Sequence, residues 1–564
     1  MHIHQLLLIA CMTATLSTLT AFGQQTYKST VWCPDNGDGT FTNPVINADY
    51  SDPDVIRVGD DYWLTASSFN CIPGLPILHS HDLVNWQIVG HALRSLYDND
   101  SVRPGCRVWA PSIRYHAGTY YIYWGDPDRG VFMVKTTDPR GTWDDPVLVV
   151  AQRGIIDTTP LWDDNGRCYL VNAYANSRAG FASMLVVREL SADGTHAIGQ
   201  PVMVYDGWAH GDYVSEGPKF YKRDGYYYIL FPAGGVATGW QVAARSKNIY
   251  GPYESRTICV QGSAPFNAPH QGGWVTTQTG EDWFMNFQDK GAYGRVVHLN
   301  PIHWRDGWPV MGESLDKKAV AGTPYQNKDL RYAGQPVVRY RKPNVGRTWP
   351  VENPVESDEF NTAVLGQQWQ WMANHHETFG MPTPNGYFRL LNHRLPSGTL
   401  MEVPNLLLQK TPADAFTVTA KVRVCAKKAG QYGGLVMMGL DYSALVARLM
   451  DDGQFQLLVN TCHKADKGGA EASDVIATLR PTAKDAFNYR PGAYLDLCLR
   501  LIVTKGAKMQ FYYSANGKQW TAAGTPFAMR EGKWIGAKFG FVSVDTNAKS
   551  DLGWVDIDWV RVTK

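Results

Sequence analysis

Acidic side chains cluster in the stretch NADYSDPDVIRVGDDYWLTASSF, residues 47–69, which contains five aspartates. Two of them, Asp52 and Asp54, flank Pro53 just ahead of a short run of aromatic and β-branched residues. A carboxylate can act as a general acid or base. An isolated Asp before Pro is more often a turn or cap residue. Whether either acid does chemistry therefore depends on which other side chains reach the same place.

Further acids occupy equivalent positions in an internal repeat. A polar turn containing Gly, followed by aromatic and β-branched residues, recurs five times, at Gly59, Gly118, Gly166, Gly225 and Gly280. The segments just ahead of these turns contribute Asp52 and Asp54, Trp109, Asp157, Glu216 and His270, respectively. Packing alone does not require acidic residues at equivalent positions of a repeat. The pattern predicts one site where three carboxylates and a histidine converge.

The repeat also predicts the fold that positions these side chains. Each copy is typical of a hairpin, with one strand before the Gly turn and one after it. Further strand-like segments between copies give four short strands per unit. Five such units predict a five-bladed β-propeller, in which the strand opening each hairpin lies nearest the axis. The many aromatic and turn-forming residues, including 20 Trp, 29 Tyr and 54 Gly, agree with an all-β chain.

A second domain follows the repeats. The pattern fades after GRVVHLNPIHWRDGWPVMG, and residues 340–360 are rich in Pro and polar residues, as a linker is. Strand-like runs then alternate with turns to the end of the chain, which indicates a β-sandwich. We therefore assign residues 24–345 to the propeller and residues 346–564 to the linker and sandwich.

Several long segments resemble glycoside hydrolase family 43. They include NPVINADYSDPDVIRVGDDYWLTASSF, VWAPSIRY, IIDTTPLWDDNGRCYLVNAYA, SEGPKFYKRDGYYYILFPAGG and YGRVVHLNPIHWRDGWPV, in the family's order. The resemblance spans the whole mature chain and implies a five-bladed catalytic propeller followed by a concanavalin-like sandwich. It implies the activity of the family's β-xylosidase and α-L-arabinofuranosidase members.

The resemblance also implies a role for individual residues. Asp52 corresponds to the general base, Glu216 to the general acid, and Asp157 to the acid that tunes the pKa and orients the proton donor. Arg295 matches an arginine that holds sugar hydroxyls near the base, and His270 matches a histidine that helps position a metal ion or a water. The chain departs from its relatives at Thr158, where they commonly have Pro, and this puts the local loop shape in doubt.

Three aromatic residues, Phe69, Trp109 and Trp240, are candidate platforms for a sugar ring, with core packing as the alternative for each. Asp54 aligns with a small polar residue in the relatives and is interpreted as a turn acid. Asp60 and Asp61 fall in the first hairpin turn and are expected to be solvated.

These observations predict an exo-acting, inverting glycosidase that releases terminal xylose or L-arabinofuranose from plant cell-wall oligosaccharides. Inversion needs one protonated acid at the leaving oxygen and one base holding a water on the opposite face. A catalytically inactive polysaccharide-binding propeller is the main alternative. A sucrose- or fructan-cleaving propeller enzyme is disfavoured, because the NDPNG-like motif of those enzymes is missing from the sequence.

The remaining expectations concern partners, cofactors and location. Lys and Arg number 53 against 52 Asp and Glu, so no net field attracts nucleic acid or an anionic membrane. No cofactor is required, and Ca²⁺ is considered for oxygen-rich sites at the propeller axis or in the sandwich, where SDEFN and DIDW bring acids, without a full ligand set. Residues 1–23 are typical of an export signal, which predicts a periplasmic or secreted protein, with a lipid anchor at Cys11 as the minor alternative. No later segment has the length of a membrane helix. The other eight cysteines are expected to be mostly buried free thiols.

Overall fold

The computed structural model describes residues 26–267, 269–395, 398–487, 490–547 and 552–564. The predicted export signal lies outside these residues. Within them, helix is limited to α1 (Asn176–Ala179) and short 3₁₀ turns at Gly291–Tyr293, Lys317–Val320, Leu400–Glu402 and Ala465–Lys467. Among the described helices, none has the length and apolar character needed to cross a bilayer.

Five antiparallel sheets follow a short first strand, β1 (Thr40–Thr42), and confirm the predicted five-bladed propeller. Blade 1 contains β2 (Asp54–Val58), β3 (Asp61–Thr65), β4 (Gly74–Ser80) and β5 (Trp86–Leu93). Blade 2 contains β6 (Trp109–His116), β7 (Thr119–Asp126), β8 (Gly130–Thr136) and β9 (Val147–Ala151). Blade 3 contains β10 (Ile155–Trp162), β11 (Cys168–Tyr174), β12 (Met184–Leu190) and β13 (Val202–Asp206).

Blades 4 and 5 complete the ring. Blade 4 contains β14 (Lys219–Arg223), β15 (Tyr226–Ala233), β16 (Trp240–Ser246) and β17 (Glu254–Cys259). Blade 5 contains β18 (His270–Thr276), β19 (Asp282–Asp289), β20 (Arg295–Arg305) and β21 (Trp308–Met311). Two short strands, β22 (Glu313–Ser314) and β23 (Gly334–Gln335), extend blade 4, and β24 (Arg339–Arg341) pairs with β1. The turn glycines lie between the first two strands of each blade; Gly59, for example, has a φ of 63°, which an L-residue rarely adopts.

The N-terminal segment closes the ring between blades 1 and 5. Ile46 exchanges two backbone hydrogen bonds with Val297 on β20, and the amide of Tyr50 donates to the carbonyl of Arg295. One buried cluster contains Val55 of blade 1 and Met285 of blade 5 and therefore spans the junction. Burial of this apolar surface joins the ends of the propeller.

The C-terminal domain is the predicted β-sandwich, made of two large sheets. One sheet contains β25 (Gly380–Pro382), β26 (Phe388–Leu391), β29 (Phe416–Ala426), β34 (Ala483–Phe487), β35 (Arg490–Thr504), β36 (Lys508–Ser514), β37 (Thr521–Ala528) and β39 (Trp554–Thr563). The other contains β27 (His393–Arg394), β28 (Leu407–Lys410), β30 (Gln431–Met438), β31 (Tyr442–Leu449), β32 (Phe455–Cys462), β33 (Glu471–Leu479) and β38 (Lys538–Asp545). Their facing side chains form one apolar core.

The sandwich packs directly on the propeller. The backbones of Ile72 and Trp371 exchange two hydrogen bonds, and the buried Lys538 ammonium donates to Cys71 Sγ at 3.1 Å and to Gln370 Oε1 at 2.9 Å. The eight cysteines among the described residues are free, and six of them are buried, as the sequence predicts. The interface fixes the sandwich loop 530–535 above the ends of the inner propeller strands.

Candidate active site

The five predicted axial positions meet in one cavity of about 270 Å³, here called the axial cavity. Each blade supplies one of these residues from the start of its innermost strand or from the turn just before it. They are Asp52, Trp109, Asp157, Glu216 and His270. The cavity is also lined by Phe69 and Arg295, so seven of the eight residues singled out from the sequence come together.

Trp240 is the exception, and the structure corrects its predicted place. Its side chain is fully buried in the core between blades 3 and 4, and its indole Nε1 donates to Asp212 Oδ1 at 2.8 Å. The ring also covers Gly234 so closely that a Cβ there would lie 2.3 Å from it. A tryptophan in this position packs the core and cannot present a face to a sugar.

Asp54 is corrected as well, because it is a buried strand residue and not a turn acid. Its Oδ2 accepts hydrogen bonds from the Ile113 amide at 2.9 Å and from Arg114 Nη1 at 2.6 Å, and Lys219 Nζ lies 4.0 Å away. The carboxylate thus joins blade 1 to blade 2 beneath the cavity. It is fully buried and does not line the cavity.

Asp52 is held at the cavity wall by hydroxyl groups. Its Oδ2 accepts hydrogen bonds from Ser51 Oγ at 2.7 Å and from Ser67 Oγ at 2.6 Å. Arg295 Nη1 lies 3.4 Å from Oδ1 and donates to Ser51 Oγ at 2.9 Å. Since both serines bind the same oxygen, Oδ1 remains available to a water or a sugar hydroxyl.

Asp157 is buried, and its environment disfavours the charged form. Its Oδ2 accepts a hydrogen bond from the Gly217 amide at 2.8 Å. Burial raises the pKa of the Asp157 carboxyl well above its usual range, and the negative charges of Glu216 and Asp52 raise it further. Two adjacent anions are therefore unfavourable here, and the cavity holds a proton more readily than isolated carboxyls would.

Glu216 reaches the open part of the cavity, with 29% of its side chain exposed. His270 Nε2 lies 3.3 Å from Glu216 Oε1, but without hydrogen-bond geometry. Both ring nitrogens of this buried histidine lack a hydrogen-bond partner among the described residues. An imidazole with unsatisfied nitrogens beside the acid can bind a water or a substrate hydroxyl.

Backbone geometry aims these side chains inward. The pairing of innermost strand and neighbour shifts register in three blades, between Trp109 and Ser112, between Ile156 and Thr159, and between His270 and Gly272. A β-bulge re-aims the side chains around it, and bulges are frequent beside active sites. Thr158, the position where a departure from the family is expected, lies inside the second bulge.

The sandwich contributes Trp534, which is not among the residues predicted from the sequence. Its ring is 6.2 Å from that of Trp109, and the Arg295 guanidinium is 5.8 Å from its centroid. Trp534 also lines a neighbouring cavity of about 420 Å³, together with Val236 and Arg295. No local pattern marks this residue, because only the packing of the two domains brings it to the site.

The acids of SDEFN and DIDW, which are the candidate calcium ligands of the sandwich, are engaged with protein groups. Asp358 accepts hydrogen bonds from the Phe360 amide and from Trp369 Nε1. The other three pair with basic side chains: Glu359 with Arg561, Asp556 with Arg389, and Asp558 with Lys421. Each of these acids thus has a protein partner.

Comparison with known proteins agrees with this architecture. Residues 41–309 match the family described as Glycosyl hydrolases family 43, and residues 357–563 match the Beta xylosidase C-terminal Concanavalin A-like domain. A protein of Xylanibacter ruminicola, named provisionally as a β-xylosidase, is 34% identical, over 91% of this chain and 88% of its own length. A non-reducing end α-L-arabinofuranosidase of Bacteroides ovatus is 29% identical, over 79% of each chain.

The fold has a close counterpart among solved structures. The crystal structure of a family 43 protein from Bacillus licheniformis superposes with a TM-score of 0.75 at 26% identity, covering 93% of this chain and 99% of the other. The chain contains the two family domains in the expected order. It also has a relative above 30% identity and a matching two-domain fold. The chain is a glycoside hydrolase and belongs to glycoside hydrolase family 43.

Proposed function

We propose that the protein is an exo-acting, inverting glycosidase that removes terminal xylose or L-arabinofuranose from plant cell-wall oligosaccharides. The observation that carries this proposal is the meeting of three carboxylates from three blades in a cavity of about 270 Å³. That volume is below the range of about 300–1,000 Å³ typical of pockets for drug-sized ligands. A cavity of this size suits one terminal sugar better than the middle of a polysaccharide chain.

In the proposed mechanism, Asp52 is the general base. The two serine hydroxyls fix its Oδ2, so Oδ1 can accept a proton from a water that attacks the anomeric carbon. Arg295 lies beside the same oxygen and can donate to sugar hydroxyls. Water attack on the face opposite the leaving group inverts the configuration.

Glu216 is the proposed general acid, and Asp157 is the proposed modulator of its proton affinity. The assignment rests on exposure, because Glu216 reaches the open side of the cavity whereas Asp157 is buried and bound to the Gly217 amide. Glu216 donates its proton to the leaving glycosidic oxygen as the bond breaks. Asp157 lies beside this acid and in the proposal orients the proton donor, and the negative charge of Glu216 in turn raises the pKa of the Asp157 carboxyl.

The sugar is proposed to be a pentose in either of two forms. Relatives named as β-xylosidases, such as the one from Formosa agariphila, and as an α-L-arabinofuranosidase both match most of this chain. Gly235 and Val236 of the loop after β15, and Phe69 of the loop after β3, line the cavity. We propose that these loops set the preference between the two sugars.

The first test is hydrolysis of p-nitrophenyl β-D-xylopyranoside and p-nitrophenyl α-L-arabinofuranoside by wild type and Asp52→Asn. We expect release from at least one substrate and a loss of roughly 10²–10⁴-fold in kcat for the variant, as for removal of a general base. Asp60→Asn is the matched control, because this acid of the same hairpin is 59% exposed in its side chain. NMR of the first-formed sugar reports inversion.

The outcomes separate the parts of the proposal. Full activity in Asp52→Asn would remove Asp52 from the role of base. First-formed sugar of retained configuration would contradict inversion. If no sugar is released from either substrate or from xylo- and arabino-oligosaccharides, the pentose assignment is contradicted. The alternative of a catalytically inactive, polysaccharide-binding propeller is then favoured.

A further inference from the structure

Two histidines and an aspartate form a cluster on blade 1 that the axial cavity does not use. In the β3–β4 hairpin, Trp63 pairs with His79 and Tyr62 pairs with Ser80. Continuing this register places Asp61 opposite His81, so Asp61, His79 and His81 share one face; we call them the blade 1 triad. Asp61, which the sequence predicts to be solvated, contacts both histidines through its carboxylate.

The spacing of the donor atoms suits a small metal ion. His79 Nε2 and His81 Nδ1 lie 2.6 and 3.4 Å from Asp61 Oδ1, and the three ligand atoms fall within 4.8 Å of one another. Bonds of about 2.0–2.1 Å in a tetrahedral zinc site place neighbouring donors roughly 3.3 Å apart. The 3.4 Å contact already has this spacing, and the hydrogen bond from His81 Nδ1 to the Asp60 carbonyl at 3.2 Å has to give way when the metal ion binds. The 2.6 Å contact is a hydrogen bond that opens by about 0.7 Å when a metal replaces the proton.

The two imidazoles are held in place before any ligand arrives. His79 is fully buried against Trp63, with ring centroids 4.7 Å apart. His81 stacks on Trp349 of the linker at 3.9 Å with an interplanar angle of 12°.

Two of the three ligands are partly exposed to solvent, so an ion can reach the blade 1 triad. The side chains of Asp61 and His81 are 36% and 29% exposed. The Asp61 carboxylate can therefore shift by the small distance required, and water can fill a fourth position. This arrangement differs from a calcium site, which takes six to eight oxygen ligands.

We propose that the blade 1 triad binds one divalent transition-metal ion of the zinc class through His79 Nε2, His81 Nδ1 and Asp61. Two imidazoles and one carboxylate are a ligand set suited to Zn²⁺, Ni²⁺ or Cu²⁺. The bound ion joins β3 to β4 and, through the stack of His81 on Trp349, fixes the linker against the first blade. The site is separate from the axial cavity, and its test does not depend on glycosidase activity.

The test is calorimetric titration of the metal-free, untagged mature protein with Zn²⁺. We expect one tight site per chain, and at least a tenfold weaker affinity in His81→Gln and in Asp61→Asn, by analogy with losses of about 10–100-fold for outer-shell changes. His116→Gln is the matched control. His116 of blade 2 stacks on Trp162 of blade 3 at 4.9 Å, much as His81 stacks on Trp349. Circular dichroism verifies that the variants are folded.

A second readout identifies the ligand type. Co²⁺ in place of Zn²⁺ should give visible d–d bands of a nitrogen and oxygen site, and these should disappear in His81→Gln. A thiolate charge-transfer band would instead assign the ion to a cysteine and overturn the proposal. The proposal would also be overturned if wild type bound no Zn²⁺ at concentrations up to about 1 mM, or if His81→Gln and His116→Gln lost affinity equally.

Discussion

Backbone strain at single residues marks the axial cavity independently of any relative. Five non-glycine residues of its lining have a positive φ: Asp52 (55°), Phe69 (51°), Ala110 (36°), Asp157 (57°) and Val214 (55°). Each such residue costs of order 1–3 kcal/mol and persists only where the surrounding structure enforces it. Two of the three candidate acids belong to this group. The surrounding structure therefore holds the backbone of these two acids in a left-handed conformation, and this sets the direction of their side chains.

The burial of Asp157 gives a prediction for stability against pH. Its folded-state pKa is raised, so the folded protein holds this proton at pH values where the unfolded chain has lost it. Stability from this group is therefore present at low pH and is lost as pH rises from the unfolded value of about 3.9 toward the folded one. We expect Asp157→Asn, whose amide oxygen can still accept from Gly217, to unfold at a higher temperature than wild type at pH 7.

The difference in unfolding temperature between Asp157→Asn and wild type should shrink as the pH falls toward 4. Thermal unfolding followed by circular dichroism measures this difference. Each kcal/mol corresponds to roughly 2–4 °C for domains of 150–250 residues. The glycosidase activity of Asp157→Asn should be lower than that of wild type. A wild type that is more stable than Asp157→Asn at pH 7 would contradict the destabilising charge.

At the scale of elements, two devices build the site: bulged inner strands and one loop from the other domain. The bulges at the starts of β6, β10 and β18 turn side chains toward the axis. The sandwich loop 530–535 then covers the opening, and its fit is tight. A Cβ on Gly105 would lie 2.4 Å from Lys533 Cγ, and the Ala537 amide donates to the Ala292 carbonyl at 2.8 Å. The loop is thus a fixed wall of the cavity.

Truncating the exposed aromatic of this loop should affect substrate use more than folding. We expect Trp534→Ala to lower kcat/KM on the better pentoside by about tenfold, as for loss of a favourable aromatic contact. Its unfolding temperature should change little, because the side chain is 44% exposed. Trp520→Ala is the matched control, since this half-buried indole of the same domain contacts Arg500 and not the cavity. Equal kinetics in both variants would show that Trp534 does not contribute to the site.

At the scale of the whole molecule, the propeller and the sandwich share one core. Ala292 and Tyr293 of blade 5 belong to the main hydrophobic cluster of the sandwich, together with Val31 near the N-terminus. The Tyr293 hydroxyl donates to the Asp414 carbonyl at 2.9 Å and accepts from the Ala507 amide at 2.8 Å. Lys290 adds an ion pair with Asp414. Each domain needs the other to bury its interface residues, so the two domains should unfold together.

Removal of one interface hydroxyl tests this coupling. Tyr293→Phe should lower stability by about 1 kcal/mol, because it leaves the Ala507 amide and the Asp414 carbonyl without this partner. Differential scanning calorimetry should show one transition in wild type and in the variant, at a lower temperature in the variant. Tyr332→Phe, which loses only a surface bond to Asp306 at 3.1 Å, is the control. Two separated transitions in wild type would contradict a shared core.

Much of this architecture can be predicted from the sequence, because its signals are local and repeated. Turn glycines such as Gly59 and the aromatic runs beside them fix the hairpins, since backbone conformation there depends on neighbouring residues. Five copies fix the number of blades. The equivalent positions of Asp52, Asp157 and Glu216 in these copies then place them at one end of the axis without any knowledge of contacts.

Only the tertiary structure decides which faces are covered and which distant residues meet. Trp240 follows a glycine-rich loop as a sugar platform would, yet packing of blades 3 and 4 encloses its ring completely. Asp54 is two residues from Asp52, but the backbone of Asp52 is left-handed and Pro53 follows it, so one acid enters the cavity and the other binds blade 2. Trp534 joins the site from the other domain. Burial and proximity depend on the whole packed chain, whereas turns and repeats are properties of its local segments.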